Sequence, residues 1–240
     1  MTTPLALVTG ASRGIGRAIS TLLATRGYDL ILVAREENPL ERVAEEISSN
    51  YGVNVSCIAV DITDFEAVRT RVNSRIGDSG RLDVLVNSAG IFRFGTRTLA
   101  TEDLDKMFAT NVTAAHNLCA LCADAIKASG KGHIINISSV AGLEGFAPIG
   151  GYSASKFALV GYGQSLAREL LGENVRVTTL CPDVVDTDMS KGSALPSELM
   201  IAPDDIAKAV DFVLSLSPSA IVEELVIRCK AVIDMTHARV

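Results

Sequence analysis

Residues 5–16 read Leu-Ala-Leu-Val-Thr-Gly-Ala-Ser-Arg-Gly-Ile-Gly. A short apolar run, Leu5 to Val8, breaks at a turn holding Gly10, Gly14 and Gly16, and the chain then takes up a helical period over about 15–25. Gly10 allows a tight turn, Gly14 lets backbone approach a ligand closely, and Gly16 permits close packing of helix on strand. A helix starting here presents free N–H groups and the positive end of its dipole, together with Ser12 and Ile15, to a phosphate group. Outward from this turn the pattern repeats to the end of the chain. Apolar runs at about 30–34, 54–60, 84–87, 134–137, 175–181 and 221–228 alternate with helical stretches at about 39–49, 65–76, 102–129, 153–171 and 203–216. Continuous apolar strands belong to parallel sheets covered on both faces, and strand–helix alternation gives right-handed crossovers. The expected fold is α/β: a Rossmann-type, doubly wound domain over residues 1–240 with a seven-stranded parallel sheet flanked by helices. The stretch at about 188–202 lacks periodicity and reads as a short flap over a site.

Composition narrows the function. The 240 residues carry 22 Lys+Arg against 28 Asp+Glu, a formal net charge of −6. Without Lys/Arg blocks this acidic chain offers no surface that tracks phosphates, so nucleic acid is not an expected partner. No run of 18 apolar residues occurs, so no membrane span is expected, and the N-terminus lacks the charged region and cleavage site of a leader. A cytoplasmic protein is the expectation. Five cysteines at 57, 119, 122, 181 and 229 form no disulfide framework. Cys119 and Cys122 make a C-x-x-C inside a helical pattern. The histidines at 116, 133 and 237 stand alone, so the ligand set is incomplete and no metal is expected.

The glycine spacing G-x-x-x-G-x-G, with the motifs that follow it, resembles the short-chain dehydrogenase/reductase family in its branch of roughly 250 residues. Those motifs are Asp61-Ile62 after the third strand, Asn87-Ser88-Ala89-Gly90 after the fourth, and Asn111 in the long helix. Ser139, Tyr152-x-x-x-Lys156 and Pro182-x-x-Val185-x-Thr187 complete the set, which spans nearly the whole chain. The overall pattern is similar to 3-oxoacyl-[acyl-carrier-protein] reductases, and general carbonyl, sugar and sterol reductases share it. The resemblance implies that Asp61 contacts adenine with Ile62 beside it, that Asn87, Ala89 and Gly90 line the cofactor cleft, and that Val185 and Thr187 reach the nicotinamide carboxamide. It also implies a homodimer or homotetramer built on the long helices.

A dinucleotide site of this architecture uses a carboxylate at the end of its second strand to bind the ribose diol of NAD. That position here is Ala34, followed by Arg35, and Arg13 lies in the glycine turn. Two guanidinium groups beside the ribose would pair with a 2′-phosphate, which predicts NADP(H) as the preferred cofactor and leaves NAD(H) possible. Glu36 is the competing candidate for the ribose hydroxyls. A charge-assisted hydrogen bond is worth about 1.5–3 kcal/mol, so one contact gives roughly a 10–100-fold preference.

Tyr152 and Lys156, four residues apart on a helix, share one face. Ser139 ends the fifth strand at the edge that faces the same crevice, and Ser138 is its unsuited neighbour. A hydride reaching a carbonyl carbon leaves charge on oxygen that a proton must meet. A free tyrosine, with pKa near 10, is too weak an acid for this near neutrality, so Lys156 is expected to lower it. Ser139 would hold the carbonyl oxygen against Tyr152. By the family pattern Lys156 also holds the nicotinamide ribose, and Asn111 anchors a water that passes protons to Lys156. The expected reaction is NADP(H)-dependent reduction of a ketone, aldehyde or 3-oxoacyl group to an alcohol, with an NAD-dependent alcohol dehydrogenase or a non-catalytic dinucleotide-binding sensor as alternatives. Two departures from the family pattern stand out. Ser88 replaces the usual Asn, and Pro182 is followed by Asp183 where Gly is common. Asp183 and Glu144 are candidates to place a carboxylate in the substrate pocket, beside an otherwise apolar loop that holds Leu143, Phe146 and Ile149.

Overall fold

Residues 3–77 and 80–237 are described by the computed structural model of the chain. Seven strands form: β1 (Leu5–Thr9), β2 (Asp29–Ala34), β3 (Val55–Ala59), β4 (Val84–Asn87), β5 (His133–Ile137), β6 (Arg176–Pro182) and β7 (Glu224–Ile227). They make one parallel sheet in the order β3-β2-β1-β4-β5-β6-β7. The strand order reverses between β1 and β4, and the crevice outside their C-terminal ends is where such sheets bind ligands.

Between the strands run α1 (Gly14–Thr25), α2 (Glu37–Tyr51), α3 (Phe65–Ile76), α4 (Thr101–Phe108), α5 (Ala114–Ala128), α6 (Gly150–Leu170), α7 (Pro203–Ser215) and α8 (Lys230–His237). Strand residues alternate between the sheet's two faces, so each face has its own core. Ala6, Val8, Leu30 and Leu32 pack under Ile19 and Leu23 of α1, Leu40 and Val43 of α2, and Ile206 and Val210 of α7. Leu7, Ile31, Val33 and Leu85 pack under Val68 and Val72 of α3, Leu118 and Ile126 of α5, and Leu170 of α6. Burying one such Leu or Ile side chain contributes about 1.5–3 kcal/mol. None of the described helices is long and apolar enough to cross a membrane.

Three elements differ from the sequence reading. The stretch at 102–129 is not one α-helix, because α4 and α5 are joined by a π-helical turn, Ala109–Thr113, that contains Asn111. Such a turn inserts one residue into a helix, and it occurs often at functional sites. β7 is shorter than the apolar run, and α8 follows it unannounced. The 188–202 stretch is two short 3-10 turns, Asp188–Ser190 and Ser197–Leu199, tied back by a bridge between Val185 and Ile201.

Candidate active site

The glycine turn is built by close backbone approach. Gly10 and Gly14 have φ of +66° and +54°, the left-handed region that favours glycine. A Cβ on Gly16 would lie 2.3 Å from the carbonyl oxygen of Gly10, so any side chain there would force the turn open. Arg13 precedes α1 with extended backbone. No side chain caps the helix start and no acidic residue occupies its first turn. Its first N–H groups are therefore left for a ligand, and the cradle fits the pyrophosphate of a dinucleotide. Thr9 locks this turn to the loop after β4: its Oγ1 accepts from the N–H groups of Ser88 (3.0 Å) and Ala89 (2.9 Å). Sequence reasoning passed over Thr9, whose only signal was its place at the end of β1.

The rim of the cleft carries the residues expected to choose the cofactor. Arg35 is exposed at the tip of β2. Near it is Asp61, whose carboxyl sits below its ordinary range because Thr63 donates to it from backbone N–H (2.9 Å) and hydroxyl (2.7 Å), with Arg35 adding a smaller attraction. Arg13 pairs with Asp188 at 3.1 Å, joining the glycine turn to the flap. The methyl group of Thr187 lies 3.1 Å from where a Gly14 Cβ would be, so the flap rests directly on the turn. Ile62, Asn87, Ala89 and Asn111 line a small cavity of about 10 Å³ beneath the cleft. The side chain of Asn87 is directed into the sheet, donating to Asn136 Oδ1 (2.9 Å) and to Cys119 Sγ (3.4 Å).

Ser139, Tyr152, Lys156 and Asn111 are brought to one end of the crevice. Ser139 opens the 3-10 turn Val140–Gly142, and its Oγ accepts from the N–H of Ala141 (3.1 Å). That turn packs tightly on α6, since a Cβ on Gly142 would be 2.7 Å from the Lys156 carbonyl oxygen. Ser138 is buried and its hydroxyl donates to the same carbonyl (3.1 Å), which leaves Ser139 as the serine that can meet a substrate. Tyr152 lies beside Ser139, whose hydroxyl favours its ionised form, and its ring is met edge-on by Phe92 with centroids 5.0 Å apart. Lys156 Nζ donates to the carbonyl of Ile137 (2.9 Å) and lies 5.6 Å from the centre of the Tyr152 ring. Asn111 Oδ1 accepts from the N–H of Ile91 (2.8 Å), while its Nδ2 donates to Ile91 O (3.0 Å) and to Ser155 Oγ (3.0 Å). Because Ser155 Oγ itself donates to Tyr152 O (2.7 Å), it must accept from Asn111, which fixes the orientation of the amide. Asn111 Oδ1 and Lys156 Nζ both border Gly90, 3.4 and 3.8 Å from the point a Cβ would occupy there.

The electrostatics correct one expectation. Burial pushes the Tyr152 phenol up to about 12, and the Ser139 hydroxyl offsets only part of it. Burial likewise brings Lys156 down to about 8. Lys156 was expected to hold Tyr152 below its ordinary value. With the ammonium turned to Ile137 O, the cost of burying a phenolate dominates.

The substrate-side carboxylates are also placed differently from the expectation. Asp183 does not reach into the pocket. Its carboxylate accepts from the N–H groups of Val184 (3.0 Å) and Cys229 (3.3 Å), tying the end of β6 to the start of α8. Its backbone also lies outside the positive-φ region, so no glycine-like conformation is needed there. Glu144 is ion-paired with Arg228 across the surface, and Phe146 is exposed beside it. Pro182 and Val185 are buried where β6 runs into the flap. An open cavity of about 770 Å³ lies between the flap and α1, lined by Arg17, Thr187, Lys191 and Met200 among others, and none of Ser139, Tyr152 and Lys156 borders it. Among the described residues no cluster of potential metal ligands occurs.

Residues 4–196 match the family model described as short chain dehydrogenase. The chain is 31% identical over 227 residues to a 3-oxoacyl-[acyl-carrier-protein] reductase of Chlamydia muridarum, covering 90% of this chain and 92% of that protein. Among solved structures it superposes on an alcohol dehydrogenase from Thermococcus sibiricus complexed with 5-hydroxy-NADP, with TM-score 0.88, 31% identity, and 95% and 97% of the two chains covered. A metagenomic short-chain oxidoreductase in complex with NADP aligns with TM-score 0.81 and 36% identity over 94% of this chain and 96% of that one.

Proposed function

The chain belongs to the short-chain dehydrogenase family, and we propose that it is an NADP(H)-dependent reductase converting a ketone, aldehyde or 3-oxoacyl group to the alcohol. The observation that carries the reading is the gathering of Ser139, Tyr152, Lys156 and Asn111 at the C-terminal edge of the sheet, next to a glycine turn with an uncapped helix start. The cofactor's nicotinamide supplies the hydride when bound. Ser139 Oγ holds the carbonyl oxygen, and Tyr152 Oη delivers the proton to it. Burial keeps Tyr152 a neutral phenol up to about 12 and makes it a weaker acid, so on this reading Ser139 and the nearby Lys156 cation stabilise the phenolate as its proton leaves. Lys156, with its pKa near 8, is mostly protonated at neutral pH and can replace the proton that Tyr152 gives up. Asn111 holds Ile91 and Ser155 on either side of this path.

NADP(H) is assigned from Arg13 and Arg35 at the rim and from the absence of a carboxylate at Ala34. It agrees with the NADP and 5-hydroxy-NADP complexes of the two structural neighbours. A 2′-phosphate would draw Arg13 from Asp188. The outer faces of α5 and α6, where Phe157 is exposed and His116 meets Tyr162 edge to face, are the surfaces this reading gives to a homodimer or homotetramer.

The test follows loss of reduced-nicotinamide absorbance with NADPH and NADH over ketones, aldehydes and 3-oxoacyl thioesters, for the native protein and Tyr152→Phe. Turnover with NADPH that Tyr152→Phe abolishes supports the reading. Equal rates with NADH overturn the cofactor assignment. Tight NADPH binding without turnover on any carbonyl replaces the reductase with a dinucleotide sensor.

A further inference from the structure

Phe92 and Phe94 follow directly on the Ser88-Ala89-Gly90 loop. The ring of Phe92 stands at 73° to Tyr152 with centroids 5.0 Å apart, and Phe94 stands at 83° to Phe92 at 4.7 Å. Three rings thus run edge to face from the candidate proton donor to the surface, where Phe94 is 69% exposed, the most exposed of the large apolar side chains described. The loop that carries them is pinned on both sides. Asn111 grips the N–H and carbonyl of Ile91. Beyond Phe94, Gly95 N–H donates to Pro148 O (2.8 Å), Gly151 N–H to Gly95 O (3.3 Å) and Gly150 N–H to Thr96 Oγ1 (2.8 Å). Arg93, between the two rings, turns back to the carbonyl of Phe92 (2.8 Å) and toward Asp103 (3.7 Å).

An aromatic side chain held rigidly in water, and continuous with a catalytic ring, is a surface prepared for an apolar occupant. We propose that Phe94, backed by Phe92, is the stacking platform for an aromatic body on the carbonyl substrate, so that aryl ketones and aldehydes are the preferred substrate class. This rests on the reductase reading above. The occupant is the substrate because the rings lead to Tyr152 without a break. It is aromatic because rings in edge-to-face contact gain beyond simple burial, which a saturated body of equal area does not.

The experiment compares an aryl ketone with its cyclohexyl counterpart, which has the same carbon skeleton, using native protein, Phe94→Ala and Phe94→Leu with NADPH. The native protein is expected to favour the aryl ketone in kcat/KM by roughly 3–10-fold. Phe94→Ala should erase that preference through KM for the aryl ketone, with Phe94→Leu also losing it despite keeping an apolar surface. Equal kcat/KM for the two ketones in the native protein overturns the proposal, as does a parallel loss on both in the variants. If light scattering shows that Phe94→Ala dissociates an oligomer while selectivity is unchanged, the ring serves a second copy of the chain, and the proposal also falls. Turnover of some other carbonyl but neither ketone refutes the platform and leaves the reductase standing. Turnover of no carbonyl at all removes both.

Discussion

Replacing Asn111 with Leu keeps the volume of the side chain and removes all three of its hydrogen bonds. The groups left behind are Ile91 N–H, Ile91 C=O and Ser155 Oγ, at 2.8, 3.0 and 3.0 Å from the amide in the native protein. Leaving a buried polar group unpaired costs about 1–3 kcal/mol. Ser155 is fully buried and Ile91 half-buried, so solvent recovers part of the loss at Ile91. The expected cost is about 3–5 kcal/mol, large for one substitution. For a chain of this size each kcal/mol moves Tm by about 2–4 °C, so Tm should fall by roughly 6–20 °C. The same loss frees the loop before Phe92 and the hydroxyl under Tyr152. Misplacement of about 1 Å near reacting groups can cost about 100-fold, and kcat should fall by a similar factor. Calorimetry of the ligand-free protein gives the first number, and initial rates with NADPH give the second. Ser155→Ala loses two hydrogen bonds, with Asn111 Nδ2 and with Tyr152 O, but leaves both Ile91 groups paired, so its thermal shift should be smaller than that of Asn111→Leu. A Tm change below about 2 °C for Asn111→Leu would refute the clamp, whatever the effect on rate.

Two other perturbations are as direct. Ala34→Asp combined with Arg35→Ala supplies a partner for a ribose diol and removes a guanidinium from the rim, so the ratio of kcat/KM for NADPH over NADH should fall at least about 10-fold; an unchanged ratio sinks the assignment. His133 is held neutral by burial, its pKa brought down to about 3, with Arg176 adding to the shift. The unfolded chain therefore binds an extra proton between about pH 6.5 and 3, and stability is lost as pH falls through that window, by up to about 1.4 kcal/mol per unit. In urea titrations between pH 6.5 and 4, His133→Asn should show a flatter dependence of unfolding free energy on pH; a slope equal to the native protein's rules this out.

The sheet was legible because β1, β2 and β4 are almost wholly apolar and the other strands largely so, each bounded by turn signals, and parallel pairing follows from the helices between them. Glycine spacing, Ser139 and the Tyr152–Lys156 interval marked the crevice. What the chain did not disclose depends on contacts distant in sequence. Residues 231–235 read Ala-Val-Ile-Asp-Met, a pattern as suited to a strand end as to a helix, and the Asp183 carboxylate that meets the N–H of Cys229 lies 46 residues upstream. The same contact explains why Asp183 supplies nothing to the pocket. Glu144 meets Arg228 across 84 residues, a pairing no local spacing encodes. The phenol of Tyr152 rises rather than falls because its environment is set by burial, a tertiary property, and by an ammonium that hydrogen-bonds elsewhere. Phe92 was visible in the letters Ile-Phe-Arg-Phe-Gly, but its edge-on approach to Tyr152 was not.

The π turn at Ala109–Thr113 has a consequence for how this chain can change. A residue in a regular helix advances 1.5 Å and turns about 100°. The π turn absorbs its surplus residue locally, so deleting that residue would restore an uninterrupted α-helix and leave the residues after it close to their present phase relative to α4, whereas a deletion within α5 would rotate everything after it by that angle. Leu118, Cys119, Cys122 and Ile126 point into the core and would keep doing so, while Asn111 would lose the wide turn that holds it. The surplus residue serves the crevice, where Asn111 sits, and not the core, so this chain can gain or lose that feature of the site without repacking α5.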